Sequence, residues 1–408
     1  MSAIPVSDAV AWLLRPEAIR ERCGRILAAA DAGRSDHFTV ARDKLPALAD
    51  FVTEEIRGNY PDLKIPYHSR WRHFAAGGRD RWGALAARLG GLSANEMARM
   101  RIDLALTSVL LDAGAGPAWR YREADGTEFS RSEGLAVASF VLFERGILSG
   151  QRDWPLRADA AALRAFTADN LAQAFQVTED NPLEGLEGRA GLLNRLGRAV
   201  AKAPQVYGES DPRVGNLYDY LVGLAGPSRE VPAPLILATL LETLGSIWPG
   251  RIVLDGVNLG DVWRHPAAGD DGLVPFHKLS QWLTYSLVEP LVEAGLAVTD
   301  IEALTGLAEY RNGGLMIDGG LLCLKDPAAL AARHAVDSEL IVEWRALTLA
   351  LLDPLAAEVR ERLGQNAAEL PLAKVLEGGT WSAGRRIARE KRPDGDPPLT
   401  IVSDGTVF

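Results

Sequence analysis

The stretch Val274–Glu289, VPFHKLSQWLTYSLVE, constrains the fold more than any other part of the chain. Pro275 suits the first turn of a helix, where its missing N–H leaves nothing unpaired. Pro290 is expected to end the pattern, because the residue before a proline is pushed out of helical geometry. Between the prolines Phe276, Leu279, Leu283 and Leu287 repeat at helical spacing and form an apolar stripe. A second face carries Lys278, Gln281, Tyr285 and Glu289, with His277 beside it, and Trp282 and Val288 make the flanks apolar as well. A helix apolar on more than one side is normally buried, and buried polar groups need partners. This helix therefore either holds a structural network or lines a pocket.

Burying such a helix needs a large body. The chain has 408 residues with 47% hydrophobic content, ample for a core. Its net charge of −10 argues against a nucleic-acid backbone as partner. The first residues, MSAIPVSDAVAWLL, carry acidic Asp8 and no basic leader, and no run of about 18 apolar residues is present to span a bilayer. Cys23 and Cys323 are far apart and read as free thiols of a reducing compartment. The expectation is a cytoplasmic protein that engages neither membrane nor nucleic acid.

Helical periodicity dominates the chain, so the fold is expected to be mainly α, one compact helical unit over residues 1–408 with short β-hairpins. No Pro/Gly/Ser linker divides it, and 1–150 and 151–408 are at most subregions. Asn95–Leu111 reads as a long helix. Asp125-Gly126, between Tyr121 and Phe129, signals a hairpin. Ser130 and Glu133 fit a capping box for the next helix. Asp159–Gln173 reads as one alanine-rich helix, and Asn59–Phe74 as a loop. In Leu304–Leu324, Leu315–Ile317 and Leu321–Cys323 are expected to pair about Asp318-Gly319, with Glu309, Arg311 and Asn312 on the preceding loop. From Glu377 onward the chain reads mostly as loop, tied down by Trp381 and Phe408.

Dinucleotide, phosphate-loop, zinc-protease, nucleophile-elbow and C-x-x-C motifs are all missing from the sequence. Of the six histidines, only His68 and His73 approach a ligand spacing, weakly, so neither a metal nor a cofactor is expected. What remains is carboxylates, arginines and the central His277–Lys278 pair, which suits acid/base or electrostatic chemistry on a small polar molecule. Asp112 closes an apolar helix, an unfavourable place for an anion beside a helix C-terminus, and an arginine partner or a ligand would explain it. The cluster Arg70, Trp71, Arg72, His73 suits an anion or planar group, or an interface loop anchored by Trp71 and Phe74.

The segments VPFHKLSQWLTYSLVEP, EYRNGGL, SRWRHF and SVLLDAGAG with the following W, Y and RSEGLA together resemble the uracil-catabolism family of fungi and bacteria, the URC four/Urg three group, over nearly the whole chain. More faintly, the order of segments is similar to the queuosine-nucleotide glycosidase family, which implies a DNA-glycosylase-like helical fold. That family places a catalytic Asp at the start of the helix corresponding to Val274–Glu289, where this sequence has Phe276-His277. The first resemblance implies a pathway in which ribosylurea species are split into urea and a ribose part. Breaking an N-glycosidic bond calls for a carboxylate beside the oxocarbenium-like centre and an acid for the leaving nitrogen. Glu309 and Asp112 are the candidate carboxylates, and His277 or Lys278 the candidate acid. Arg311 and Arg120 suit a ribose phosphate. Gln281, Tyr285, Asn312 and Trp71 complete the expected substrate contacts. Two other readings stay open: an amide hydrolase of another ring-opened uracil nucleotide intermediate, or a non-catalytic subunit that channels intermediates between the enzymes of uracil catabolism.

Overall fold

A computed structural model describes residues 7–249 and 251–402. The central helix runs from Lys278 to Glu293, later at both ends than the prolines suggest. Leu273–Pro275 is a strand antiparallel to Val262–Arg264, so Pro275 lies in a β-pair instead of a first helical turn. His277 then turns the chain into the helix with left-handed backbone, φ 46°. Pro290 sits inside the last turns. Its missing N–H would orphan the carbonyl four residues back, and there the Trp71 indole donates to the Ser286 carbonyl at 2.8 Å. A tertiary donor has replaced the helical one, and the helix continues.

Around this axis the protein is mainly helical. Ala94–Leu110 packs along the central helix, and Glu339–Leu363 packs on Pro16–Asp31 and Leu45–Asn59. Strands are short and occur in pairs, among them the expected hairpin Tyr121–Arg122 with Glu128–Phe129. Buried apolar side chains from Val10 to Leu399 join in one contiguous cluster. Among the described residues, no helix is long and apolar enough to cross a membrane.

Four expectations are corrected. Tyr310–Asp318 is a helix and not half of a hairpin, and Leu322–Leu324 pairs instead with the distant Phe38–Val40. Asn312-Gly313 carries the sequence of a turn pair, yet it lies inside this helix and Gly313 provides close approach. A Cβ on Gly313 would stand 2.7 Å from the Trp344 ring. Asn59–Phe74 is not all loop, because Arg70–Phe74 forms a short buried helix. The Asp159–Gln173 segment splits into Ala160–Ala165 and Ala168–Ala174, where Thr167 and Asn170 form a capping box. The tail is not loop from Glu377: a π-helical turn, Leu376–Thr380, leads into the helix Trp381–Lys391. Phe408, expected to anchor the tail, lies outside the described residues.

Two outcomes follow from this packing. Limited proteolysis should give no pair of independently folded halves, because the apolar cluster crosses residue 150. Gly384→Ala should destabilise the fold by about 1–3 kcal/mol, the usual cost of overpacking, since its Cβ would collide with the rigid Arg311 carbonyl. Denaturant midpoints read this loss.

Candidate active site

The floor of the site is built where the Ala94–Leu110 helix ends. Asp112 stands just beyond it, and the fully buried Arg70 guanidinium donates to Asp112 Oδ1 at 2.7 Å. Arg70 is itself held by Ser108 Oγ at 2.7 Å and by the Ser132 carbonyl at 3.2 Å. Ser132 Oγ donates to Asp112 Oδ2 at 3.2 Å. Burial alone would raise the Asp112 pKa, but Arg70 and then His73 outweigh it and hold the carboxyl below its ordinary value. The unfavourable anion at a helix end thus has its arginine.

Above this floor lies a cavity of about 390 Å³, lined by Asp112–Pro117, Arg131–Glu133, Lys278, Trp282, Glu309–Arg311, His68, His73, Trp381, Arg385 and Asp396. That volume suits a small ligand. A larger and more open groove of about 1160 Å³ lies elsewhere, beside Trp154. Its charges are engaged in pairs such as Arg157–Asp211 and Arg213–Glu96. We place the site in the smaller cavity, where carboxylates, cations and imidazoles converge.

Of the residues singled out from sequence, Asp112, Lys278, Glu309 and Arg311 line this cavity. Burial lowers the Lys278 pKa, while the Glu309 charge works against that shift. Glu309 caps the Tyr310–Asp318 helix, accepting from the Arg311 amide at 2.8 Å and the Asn312 amide at 2.6 Å. Arg311 donates to the Gly395 carbonyl at 2.7 Å.

The other six stand outside it. His277 turns away, its Nε2 2.9 Å from the Leu13 carbonyl, and burial lowers its pKa. Gln281 and Tyr285 both bind Thr305, through its hydroxyl and its carbonyl respectively. Asn312 accepts from Thr380 Oγ1 and donates to the Leu307 carbonyl. Trp71 packs under the Arg101 guanidinium, 4.2 Å from its ring centroid. Arg120 folds back on the carbonyls of Pro117 and Trp119. Ser130 is the N-cap of Arg131–Glu144 but makes no side-chain cap bond, and Glu133 instead accepts from Arg385 at 2.8 Å.

Sequence reading missed several members of the wall. His68 and His73 pack against Trp282 and Trp381, with ring centroids 5.7–6.2 Å apart. The i, i+5 spacing of the two histidines was the one local signal available. Trp381 was expected only as an anchor of the tail, and nothing local marks Arg385 or Asp396; the corrected tail helix and the loop after it deliver all three. Among the described residues, no group of three or more His, Cys, Asp or Glu is arranged to hold a metal ion.

A family profile described as "Protein of unknown function (DUF1688)" matches residues 12–408. The chain belongs to the DUF1688 family. It is 41% identical over 414 aligned residues to Protein urg3 of Schizosaccharomyces pombe, covering 98% of this chain and 100% of that one. It is also 39% identical over 412 residues to Uracil catabolism protein 4 of Lachancea kluyveri, covering 92% and 93%.

In this DUF1688 member the His73 imidazole is pushed down to about 4, first by burial and then by the Arg70 guanidinium. The folded state thus favours neutral His73, whereas the unfolded chain takes the proton near 6.5. The stability from this group is complete above about pH 6.5 and is lost as the pH falls towards 4. His73→Phe should flatten that part of the stability–pH profile, measured as urea midpoints across the window.

Proposed function

We propose that the protein acts in uracil catabolism by hydrolysing the N-glycosidic bond of ribosylurea or its 5′-phosphate, releasing urea. One relative is named for uracil catabolism, and 92% of this chain aligns with it. The observation that carries the reading is the Asp112 carboxylate, held ionised by Arg70 at a small cavity that Lys278 also lines.

The chemistry follows from charge. As the C1′–N bond breaks, positive charge grows on the anomeric carbon, and a preorganised carboxylate stabilises it. We choose Asp112 because the buried Arg70 guanidinium holds its carboxyl below the ordinary value, whereas Glu309 serves as the cap of a helix. Urea leaves poorly as an anion, so its nitrogen needs a proton as the bond breaks. Lys278 supplies that proton in our reading. Burial lowers its pKa, which eases release of the proton. His277 is set aside for this role because it points at the Leu13 carbonyl.

Asp112→Asn and Lys278→Met, checked for intact folding, should each slow urea release by roughly 10²-fold or more. Assaying purified protein on ribosylurea and on its 5′-phosphate reads this directly. If the unmodified protein releases urea from neither, the hydrolase reading falls.

A further inference from the structure

Hydrolysis also needs a group to take the proton of the attacking water, and neither Asp112 nor Lys278 serves in that role. We infer that His68 is the general base for this water, and that Glu377 is the positioning residue that orients it. This inference rests on the hydrolase reading above.

His68 Nδ1 lies 2.7 Å from Glu377 Oε2, and both side chains are largely buried, 6% and 13% exposed. A carboxylate at that distance accepts a hydrogen bond from Nδ1–H, which leaves Nε2 on the opposite edge of the ring as the acceptor. His68 lines the cavity with Asp112 and Lys278. Its ring is fixed between Trp381 at 5.8 Å and Trp282 at 6.2 Å, and its amide donates to the Ala373 carbonyl at 3.0 Å. A carboxylate, an oriented imidazole and an open ring nitrogen make up the base half of the hydrolytic triads.

The backbone around Glu377 carries a second sign of function. Glu377 belongs to the π-helical turn Leu376–Thr380, a rare geometry that recurs at functional sites. Two glycines let the turn lie against the Leu45–Asn59 helix and the loop after it. A Cβ on Gly379 would stand 2.7 Å from Val52, and one on Gly378 3.0 Å from Ile65. Thr380 then ties the turn to Asn312 at 2.8 Å. The extra residue of the turn carries the Glu377 carboxylate to His68 while the following helix presents Trp381 and Arg385 to the same cavity.

The step balances. His68 Nε2 accepts one proton from water as its oxygen bonds to C1′. The C1′–N bond breaks with its electron pair going to urea nitrogen, and the Lys278 ammonium protonates that nitrogen. Ribosylurea and water become ribose and urea, and the proton on His68 returns to Lys278 through solvent.

His68→Gln should lower kcat by about 10²-fold or more, with KM within about threefold. Glu377→Gln should lower kcat as well, and Glu377→Asp should recover part of the loss. Azide needs no base to attack C1′, so it should accelerate urea release by His68→Gln, with formation of ribosyl azide, and should not rescue Asp112→Asn. Unchanged kcat in His68→Gln, or no response to azide, overturns the inference while leaving the hydrolase reading intact. The dyad is also read without turnover, from the imidazole ¹⁵N resonances of the unmodified protein. Protonated Nδ1 with bare Nε2 supports it, and the opposite tautomer overturns it.

Discussion

The buried Arg70–Asp112 pair is the interaction on which the rest of the site depends. Taking both charges out of water is expensive, and the attraction between them offsets that cost only where further hydrogen bonds complete the shell. Here they largely do. Ser108 and the Ser132 carbonyl bind Arg70 Nε and Nη1, Ser132 Oγ binds Asp112, and the Arg70 amide donates to Ser286 Oγ at 3.0 Å, while Arg70 Nη2 stays buried with no hydrogen-bond partner among the described residues. The pair thereby fastens three helices at one point: Ala94–Leu110, Arg131–Glu144 and the central helix. Removing one partner of such a pair typically costs about 3–5 kcal/mol, because the other is left buried and uncompensated.

A second buried pair sets the other side. Asp261 takes two bonds from Arg345, at 2.9 and 3.0 Å, and accepts the Lys278 amide at 2.9 Å. Asp261 thus acts as the cap of the central helix from a remote position in the chain. With the helix start fixed there, adjacent residues diverge. His277, in left-handed backbone, is directed to the Leu13 carbonyl, while Lys278 reaches the cavity wall.

Much of the fold was legible because helical spacing and the Asp125-Gly126 turn are local signals. The central helix, Ala94–Leu110 and the Tyr121–Phe129 hairpin followed from them directly. Asp112 was legible for a different reason: an anion at a helix end contradicts the dipole, and the contradiction pointed to a partner. What failed was governed by distant contacts. Pro290 reads as a stop until Trp71 supplies the donor that the Ser286 carbonyl needs. Asn312-Gly313 reads as a turn until Trp344 occupies the space a side chain on Gly313 would fill. His68 and Glu377 are 309 positions apart, so no local pattern could join them.

The carboxylates of the cavity differ in how firmly their surroundings fix their charge. Arg131 and Asp396 are 3.7 Å apart and about half exposed, so water and salt screen them and their pairing contributes little. Glu133 and Arg385 are intermediate, 29% and 25% exposed. Glu309 has both oxygens committed to helix amides. Asp112, by contrast, is 10% exposed against an arginine that is fully buried. Solvent reorganises around the rim pairs, whereas Arg70 cannot leave and keeps its charge throughout. Stabilising a short-lived positive centre needs a negative charge already in place and unable to relax. The buried arginine partner, more than the number of carboxylates, therefore singles out Asp112.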